Sequence, residues 1–222
     1  MIENEIQKLN QKYSQNYIEF LGFNHEGISA VKDSTGAYHI TQDGKELYSK
    51  RFNKTFGFYC SFSTVVEDYF FHIDKSAQKI HSKEFLWAGN FVQNRCTVKL
   101  LNSNYKHIDL FGNYFYEDEY FYVGDYNEDI AVVTFPDFTS NHIDFTGKLI
   151  HKHNFLDLGV YHKGFAIAKD EFGYFHINLM GKEIYKHRFS ILEPFYNGIA
   201  FAHDFKNEKC FVDTNGNIYK KR

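Results

Sequence analysis

The chain repeats itself. The segments "YHITQDGKELY" (38–48), "FHIDKSAQKIH" (71–81), "KHIDLFGNYFY" (106–116), "NHIDFTGKLIH" (141–151) and "FHINLMGKEIY" (175–185) share one pattern, and "CFVDTNGNIY" (210–219) is a sixth, decayed copy. Anchored on His39, His72, His107, His142, His176 and Phe211, the steps between copies are 33, 35, 35, 34 and 35 residues. At such a period each copy is one supersecondary unit that buries its apolar face only against its neighbours, so the chain must fold as an array.

Other columns keep the same phase. A short apolar alternation with small residues precedes each copy, as in "GISAVKD" at 27 and "GFAIAKD" at 164, and an aromatic segment follows each of the first five, as in "EFLWAGNF" and "NFLDLGVY". The sixth aromatic segment stands at the other end of the chain, as "YIEFLGFN" (17–24). Each unit therefore reads as up to four short strands: a small-residue strand, the His-Ile-Asp strand, a D-x-x-G turn into a third strand, and the aromatic fourth. Asp, Asn and Gly supply the local hydrogen bonds and positive φ that tight turns need, and such short connections predict antiparallel meanders. Ile2, Ile6, Leu9 and Tyr13 are the only residues with helical spacing, which predicts a short amphipathic helix over 3–15.

The expected fold is all-β: six antiparallel meander repeats of about 35 residues, read as a six-bladed β-propeller closed by strands from both termini, with an open β array as the alternative. Ala30, Ala131, Ala166, Ala168, Ala200 and Ala202 suit a crowded centre. Residues 1–16 form an N-terminal helical segment and 17–222 the six-repeat domain. In each copy strand alternation puts Ile73, Ile108, Ile143 and Ile177 into the core.

Composition narrows the function. The chain has 25 Lys+Arg against 28 Asp+Glu, so no basic field attracts nucleic acid. The start "MIENEIQKLNQKYSQ" lacks an apolar signal region and no run of 18 apolar residues occurs, which predicts a soluble, cytoplasmic protein away from membranes. Cys60, Cys96 and Cys210 have no CxxC spacing and read as ordinary buried or half-buried thiols. Phe and Tyr number 25 and 17, against a single Trp; this favours pleated, half-buried surfaces.

The column order G-x-A-x-V, then His-Ile-Asp, x-x-Gly-Lys and an aromatic strand, resembles the WG-repeat (KWG-repeat) family of bacterial proteins. The family signature is similar to "YIDKTGK", with His here in place of Tyr, and the resemblance spans about residues 17–219; the tryptophan–glycine pair that names the family is not evident. The resemblance implies a binding or scaffolding module and transfers no catalytic residue.

"NHIDFTGKLIH" raises a metal question, since two imidazoles and a carboxylate can hold non-haem iron. Yet His-x-Asp occurs at His72/Asp74, His107/Asp109 and His142/Asp144, and a catalytic triad needs no equivalent copies along an array. The His is therefore expected to donate to a neighbouring strand's carbonyl or to the Asp, as a repeated strut, and no metal or cofactor is expected. His81 and His151 share a column with Tyr48, Tyr116, Tyr185 and Tyr219, which also reads as structural. Function is expected where copies differ, in the loops before the small-residue strand: "NHEG", "YNED", "YHKG" and "YNG". Those loops offer His25, Glu26, Asn127, Glu128, His162, Lys163 and Asn197 as ligand-binding candidates, and Trp87 is an eighth. No nucleophile elbow, phosphate loop or HExxH motif is present. The expected function is a non-catalytic module that presents this loop face to a protein or peptide partner. The alternatives are a lectin-like glycan-binding propeller and an enzyme with a His/carboxylate site at the ring mouth.

Overall fold

The computed structural model describes residues 2–220, with side chains from Gln7 onward. It is all-β apart from one helix, Ile2–Ser14, and contains six small antiparallel sheets. The chain divides into two compact units, Met1–Phe115 and Tyr116–Arg222. The first unit holds the helix and sheets one to three. These are Glu19–Phe20, Ile28–Asp33 and Gly36–Thr41; then Lys54–Tyr59, Phe62–Val66 and Phe70–Ile73; then Trp87–Ala88, Arg95–Lys99 and Tyr105–Asp109. The second holds sheets four to six: Tyr122–Val123, Ala131–Thr134 and Ser140–Ile143; then Asp157–Leu158, Phe165–Asp170 and Gly173–Asn178; then Ile191–Leu192, Ile199–His203, Lys209–Asp213 and Ile218–Lys220.

Each sheet begins with its aromatic strand, so the phase expected from the sequence shifts by one strand. Glu19–Phe20 pairs with Ile28–Asp33 in the first sheet, and the sixth sheet is built wholly from residues 191–220. Among the described residues the first sheet pairs Glu19–Phe20 only within its own repeat, so the strand pairing does not itself build the closing blade expected from both termini. The reason is local: hairpin connections join each aromatic strand to the small-residue strand that follows it. In five of the six connections among the described residues, two-residue turns do this. Cys60-Ser61, Gln93-Asn94, Glu128-Asp129, Lys163-Gly164 and Asn197-Gly198 all have paired positive φ, the geometry of type I′ turns.

Four full strands occur only in the sixth sheet. In the first five repeats the third segment touches the His-Ile-Asp strand through an isolated bridge, at Ile40–Glu46, Ile73–Lys79, Ile108–Tyr114, Ile143–Leu149 and Ile177–Glu183. The ladder breaks beyond that bridge where a Tyr or His side chain dips inward. Tyr48 and Tyr185, for example, turn their hydroxyls back onto the Nδ1 atoms of His39 and His176 of their own repeats. In the sixth repeat Phe211 has no such nitrogen; Tyr219 bonds Asp213 instead, and the strand pairing continues.

The core alternates as the pattern predicts. Ile40, Ile73, Ile108, Ile143 and Ile177 have no exposed surface, and Ala30, Ala131, Ala166, Ala168, Ala200 and Ala202 are buried on the central strands. Of the helical stripe, Leu9 and Tyr13 pack on Phe23, Val31, Tyr38 and Ile40; the side chains of Ile2 and Ile6 lie outside the described residues. Cys96 and Cys210 are buried, but Cys60 is exposed because it occupies a turn position, φ 50°, which corrects the expectation for that thiol.

Neighbouring repeats also lock through the D-x-x-G turns. A Cβ built at Gly112 would stand 2.8 Å from the His81 ring, one at Gly147 2.5 Å from Tyr116, and one at Gly216 2.6 Å from Tyr185. The inward Tyr or His of one repeat thus presses on the turn glycine of the next. At Gly44 the same place is taken by the Tyr13 hydroxyl, 2.9 Å from the built Cβ, so the helix stands in for a preceding repeat. Because Gly147 also holds φ +86°, we expect Gly147→Ala to destabilise the protein by about 1–3 kcal/mol through left-handed backbone strain and a clash with Tyr116. A urea midpoint unchanged from that of the parent protein would refute this packing account.

Candidate functional site

The repeated histidine is a rivet between sheets. His39, His72, His142 and His176 are buried at 1% exposure or less. Their Nε2 atoms lie 2.7, 3.2, 3.0 and 3.0 Å from the carbonyls of Phe56, Gly89, Gly159 and Glu193, the first on the aromatic strand of the following sheet and the others one residue past it. Their rings lie 4.6, 4.6, 4.5 and 3.9 Å from Phe58, Phe91, Tyr161 and Phe195 two residues further on. Of the two partners expected for this His, the carbonyl is the one found.

The Asp of His-x-Asp works separately. Asp74 accepts from the backbone N–H of Ser76 and Gln78, Asp109 from Phe111 and Asn113, and Asp144 from Thr146 and Lys148, each closing its own turn. Imidazole and carboxylate therefore serve different neighbours and do not converge. Among the described residues no group of three or more His, Cys, Asp or Glu is placed to hold a metal ion.

Burial pushes His39, His72, His142, His151 and His176 down to about 4. These rings are neutral in the folded chain but take up protons below their ordinary value of 6.5 once exposed. Their contribution to stability is thus complete above about pH 6.5 and is lost as the pH falls from there towards 4. Urea titrations are expected to show a midpoint that falls through this window, with unfolding at pH 5 taking up close to five protons, roughly one per ring. A flat profile between pH 6.5 and 5 would contradict the neutral rivets.

The loop candidates divide into two groups. In the second unit, Asn127 donates from Nδ2 to the Tyr161 carbonyl at 2.9 Å, and the His162 ring lies 5.4 Å from Tyr196. These contacts string three successive loops together, so Asn127 and His162 act as struts. Glu128, Lys163 and Asn197 each sit at the first position of a tight turn, with φ of 52, 52 and 51°. In the first unit, Glu26 pairs with Lys75 at 3.2 Å, and His25 lies on the rim of a groove. Trp87 is 41% exposed on its short edge strand, with its ring against Gly89, away from that groove.

The groove has a volume of about 480 Å³. Its floor is Phe23, Phe58 and Phe91, each less than 10% exposed; its rim includes Leu21, Tyr59 and Val92, at 59, 50 and 44%. None of its lining residues is Asp, Glu, Lys or Arg. Gly22 and Gly57 open it, because they precede the buried aromatics at a column filled elsewhere by Asn90, Asp125, Val160 and Pro194. Of the eight sequence candidates, only His25 lines this groove. That paired absence of side chains was the signal available in the sequence, together with "YCSF" and "VQNR", which occupy the same loop column. A second cavity, about 510 Å³, lies in the second unit beside Phe155, Leu156 and Phe175. Its Arg188 is occupied by Asp170 at 2.8 Å and Glu183 at 3.0 Å.

A β-propeller-like repeat fold carrying an uncharged aromatic groove is the class these features define. No family model matches the chain, and neither does any curated protein. Among solved structures, BamB from Moraxella catarrhalis is similar at TM-score 0.50 and 9% identity, over 90% of this chain and 72% of that one. The computationally designed Ika8 protein aligns at TM-score 0.48 and 12% identity, over 89% of this chain and 72% of its own. At these identities the likeness to BamB is one of fold. No helix among the described residues is long and apolar enough to cross a membrane.

Proposed function

We propose that this chain is a non-catalytic binding module whose loop face takes a protein or peptide partner, anchored by a neutral apolar side chain in the groove of the first unit. The observation that carries the reading is the groove's lining: aromatic on its floor, polar only at the rim through groups such as His25 and Gln93, and free of ionisable carboxylate, ammonium and guanidinium groups. Such a lining accepts an apolar anchor and disfavours a charged one, which would lose its hydration without a counter-charge. A volume of about 480 Å³ suits one or two side chains. The resemblance to WG repeats supports the same reading, as does the structural employment of the His-x-Asp pairs.

The array's finer form belongs to this proposal. Phe211 stands where earlier repeats place the rivet and is 43% exposed, while Tyr13 already fills the turn position at Gly44. Small-angle scattering separates the closed six-bladed propeller from the open array: a radius of gyration near the ~17 Å of a compact chain of this length marks closure, and a clearly larger one marks free ends.

The test uses Gly57→Val. Gly57 has no positive φ, and its built Cβ meets only the exposed Tyr59 ring, at 3.2 Å, so the valine fills the groove without backbone strain. Selection from a displayed peptide library is expected to return neutral peptides with a shared aromatic or aliphatic residue, and Gly57→Val should weaken their binding more than tenfold, about 1.4 kcal/mol or more, with unchanged circular dichroism. Peptides that bind the variant equally well would remove the groove from the reading. An empty selection beside a positive glycan array would replace it with the lectin.

A further inference from the structure

The inward Tyr and inward His are not equivalent in what they do to the rivet. In the first and fifth repeats the group on the rivet's Nδ1 is a phenol, Tyr48 or Tyr185. In the second and fourth it is another imidazole: His81 Nε2 lies 3.2 Å from His72 Nδ1, and His151 Nε2 lies 2.8 Å from His142 Nδ1.

The backbone fixes the protons of the fourth-repeat pair. His142 Nε2 faces the Gly159 carbonyl, so it carries the hydrogen. Its Nδ1 is then an acceptor and takes the Nε2–H of His151. The remaining nitrogen, His151 Nδ1, is a buried lone pair without a donor, and His81 Nδ1 is likewise unpartnered. A tyrosine ends the chain of hydrogen bonds with a group that takes no proton in the acid range; a histidine ends it with a base.

We propose that the two histidine–histidine pairs make the second-to-third and fourth-to-fifth sheet junctions the most acid-sensitive joints of the array, opening more steeply as the pH falls than the tyrosine-backed junctions.

The groups facing each pair fit this assignment. His151 meets His142, its neighbour His153, the Phe155 ring edge, and the turn of the next repeat, where a Cβ at Gly181 would stand 2.3 Å from Nδ1. That turn carries Asn178 where the second, third, fourth and sixth repeats have Asp, with Lys182 beside Gly181. Glu183 is engaged by Lys186 and Arg188, and Asp144 by its own turn. His81 meets His72, the Phe85 ring, Lys83 and the Gly112 turn; burial disfavours its proton most, the Lys83 backbone favours it, the Lys83 ammonium disfavours it and Asp109 favours it, which leaves it lowered. The fourth-to-fifth joint is therefore the more acid-sensitive of the two.

A native reporter exists. Cys96, 1% exposed, places its Sγ 3.5 Å from His72 Nε2 at the second joint. Ser63 occupies the same place at the first joint, 3.3 Å from His39 Nε2, and Ala166 sits at the equivalent position of the fifth sheet. In a Cys60→Ser/Cys210→Ala background we would label Cys96, and in the same background with Cys96→Ser separately Ser63→Cys and Ala166→Cys, with dithiodipyridine, dividing each rate by that of a free thiol at the same pH. Opening exposes one imidazole at a tyrosine-backed joint and two at a paired one. From pH 6.5 to 5 labelling should rise about 15-fold at Ser63→Cys and up to about 200-fold at Ala166→Cys, with Cys96 between them. His151→Tyr, read at Ala166→Cys, and His81→Tyr, read at Cys96, should each bring the rise down to that of one imidazole. Equal rises at all three reporters, or a rise unaffected by either tyrosine substitution, would overturn the proposal.

Discussion

Everything in this fold hangs on one imidazole used three ways at once. Nε2 donates to a carbonyl of the next sheet, Nδ1 accepts from the chain's own return segment, and the ring face meets the next sheet's aromatic. A small three-stranded sheet cannot bury both faces alone, and its end-to-end packing with a neighbour has no backbone ladder to set the register. The histidine sets that register together with a two-bond backbone bridge between the sheets, such as Ala37–Phe52 or Ser140–Phe155. A Phe or Leu would fill the volume but leave the facing carbonyl without its donor, a cost of about 1–3 kcal/mol for a buried acceptor.

The rivet also accounts for features that otherwise look like irregularities. The third strand breaks in repeats one, two, four and five where its Tyr or His leaves the ladder to reach Nδ1. The turn position is glycine in five of the six repeats because that same side chain crowds the space a Cβ would fill, and only Ala77 carries the smallest one there. Where the rivet is lost, at Phe211, the third strand pairs normally. Three sequence columns thus answer to one hydrogen-bonded ring.

Much of this was legible beforehand. The period, the small-residue strands, the buried isoleucines and the structural part of the His-Ile-Asp motif all follow from alternation and recurrence. The assignment of strands to sheets was not, because a cyclic pattern has no mark for where a unit begins; only the two-residue turns at Gln93-Asn94 and its equivalents show which neighbours pair. The groove escaped for a related reason. Attention to polar loop residues selected Asn127, Glu128, Lys163 and Asn197, whose types serve struts and left-handed turn positions, whereas the groove is made by what Gly22 and Gly57 lack. An absent side chain leaves no chemical signature until the repeats are placed side by side.

Tyr13 has a consequence for how such a chain changes length. Because the helix offers the first D-x-x-G turn the same aromatic contact that every later turn receives from the repeat before it, the first sheet does not distinguish a helix from a preceding copy. Each junction is sterically equivalent to the next, so one whole period could be gained or lost internally with every surviving contact finding a counterpart of the same shape. Copy number in this architecture is a variable that recombination can change in single steps, while the groove near the helix keeps its place.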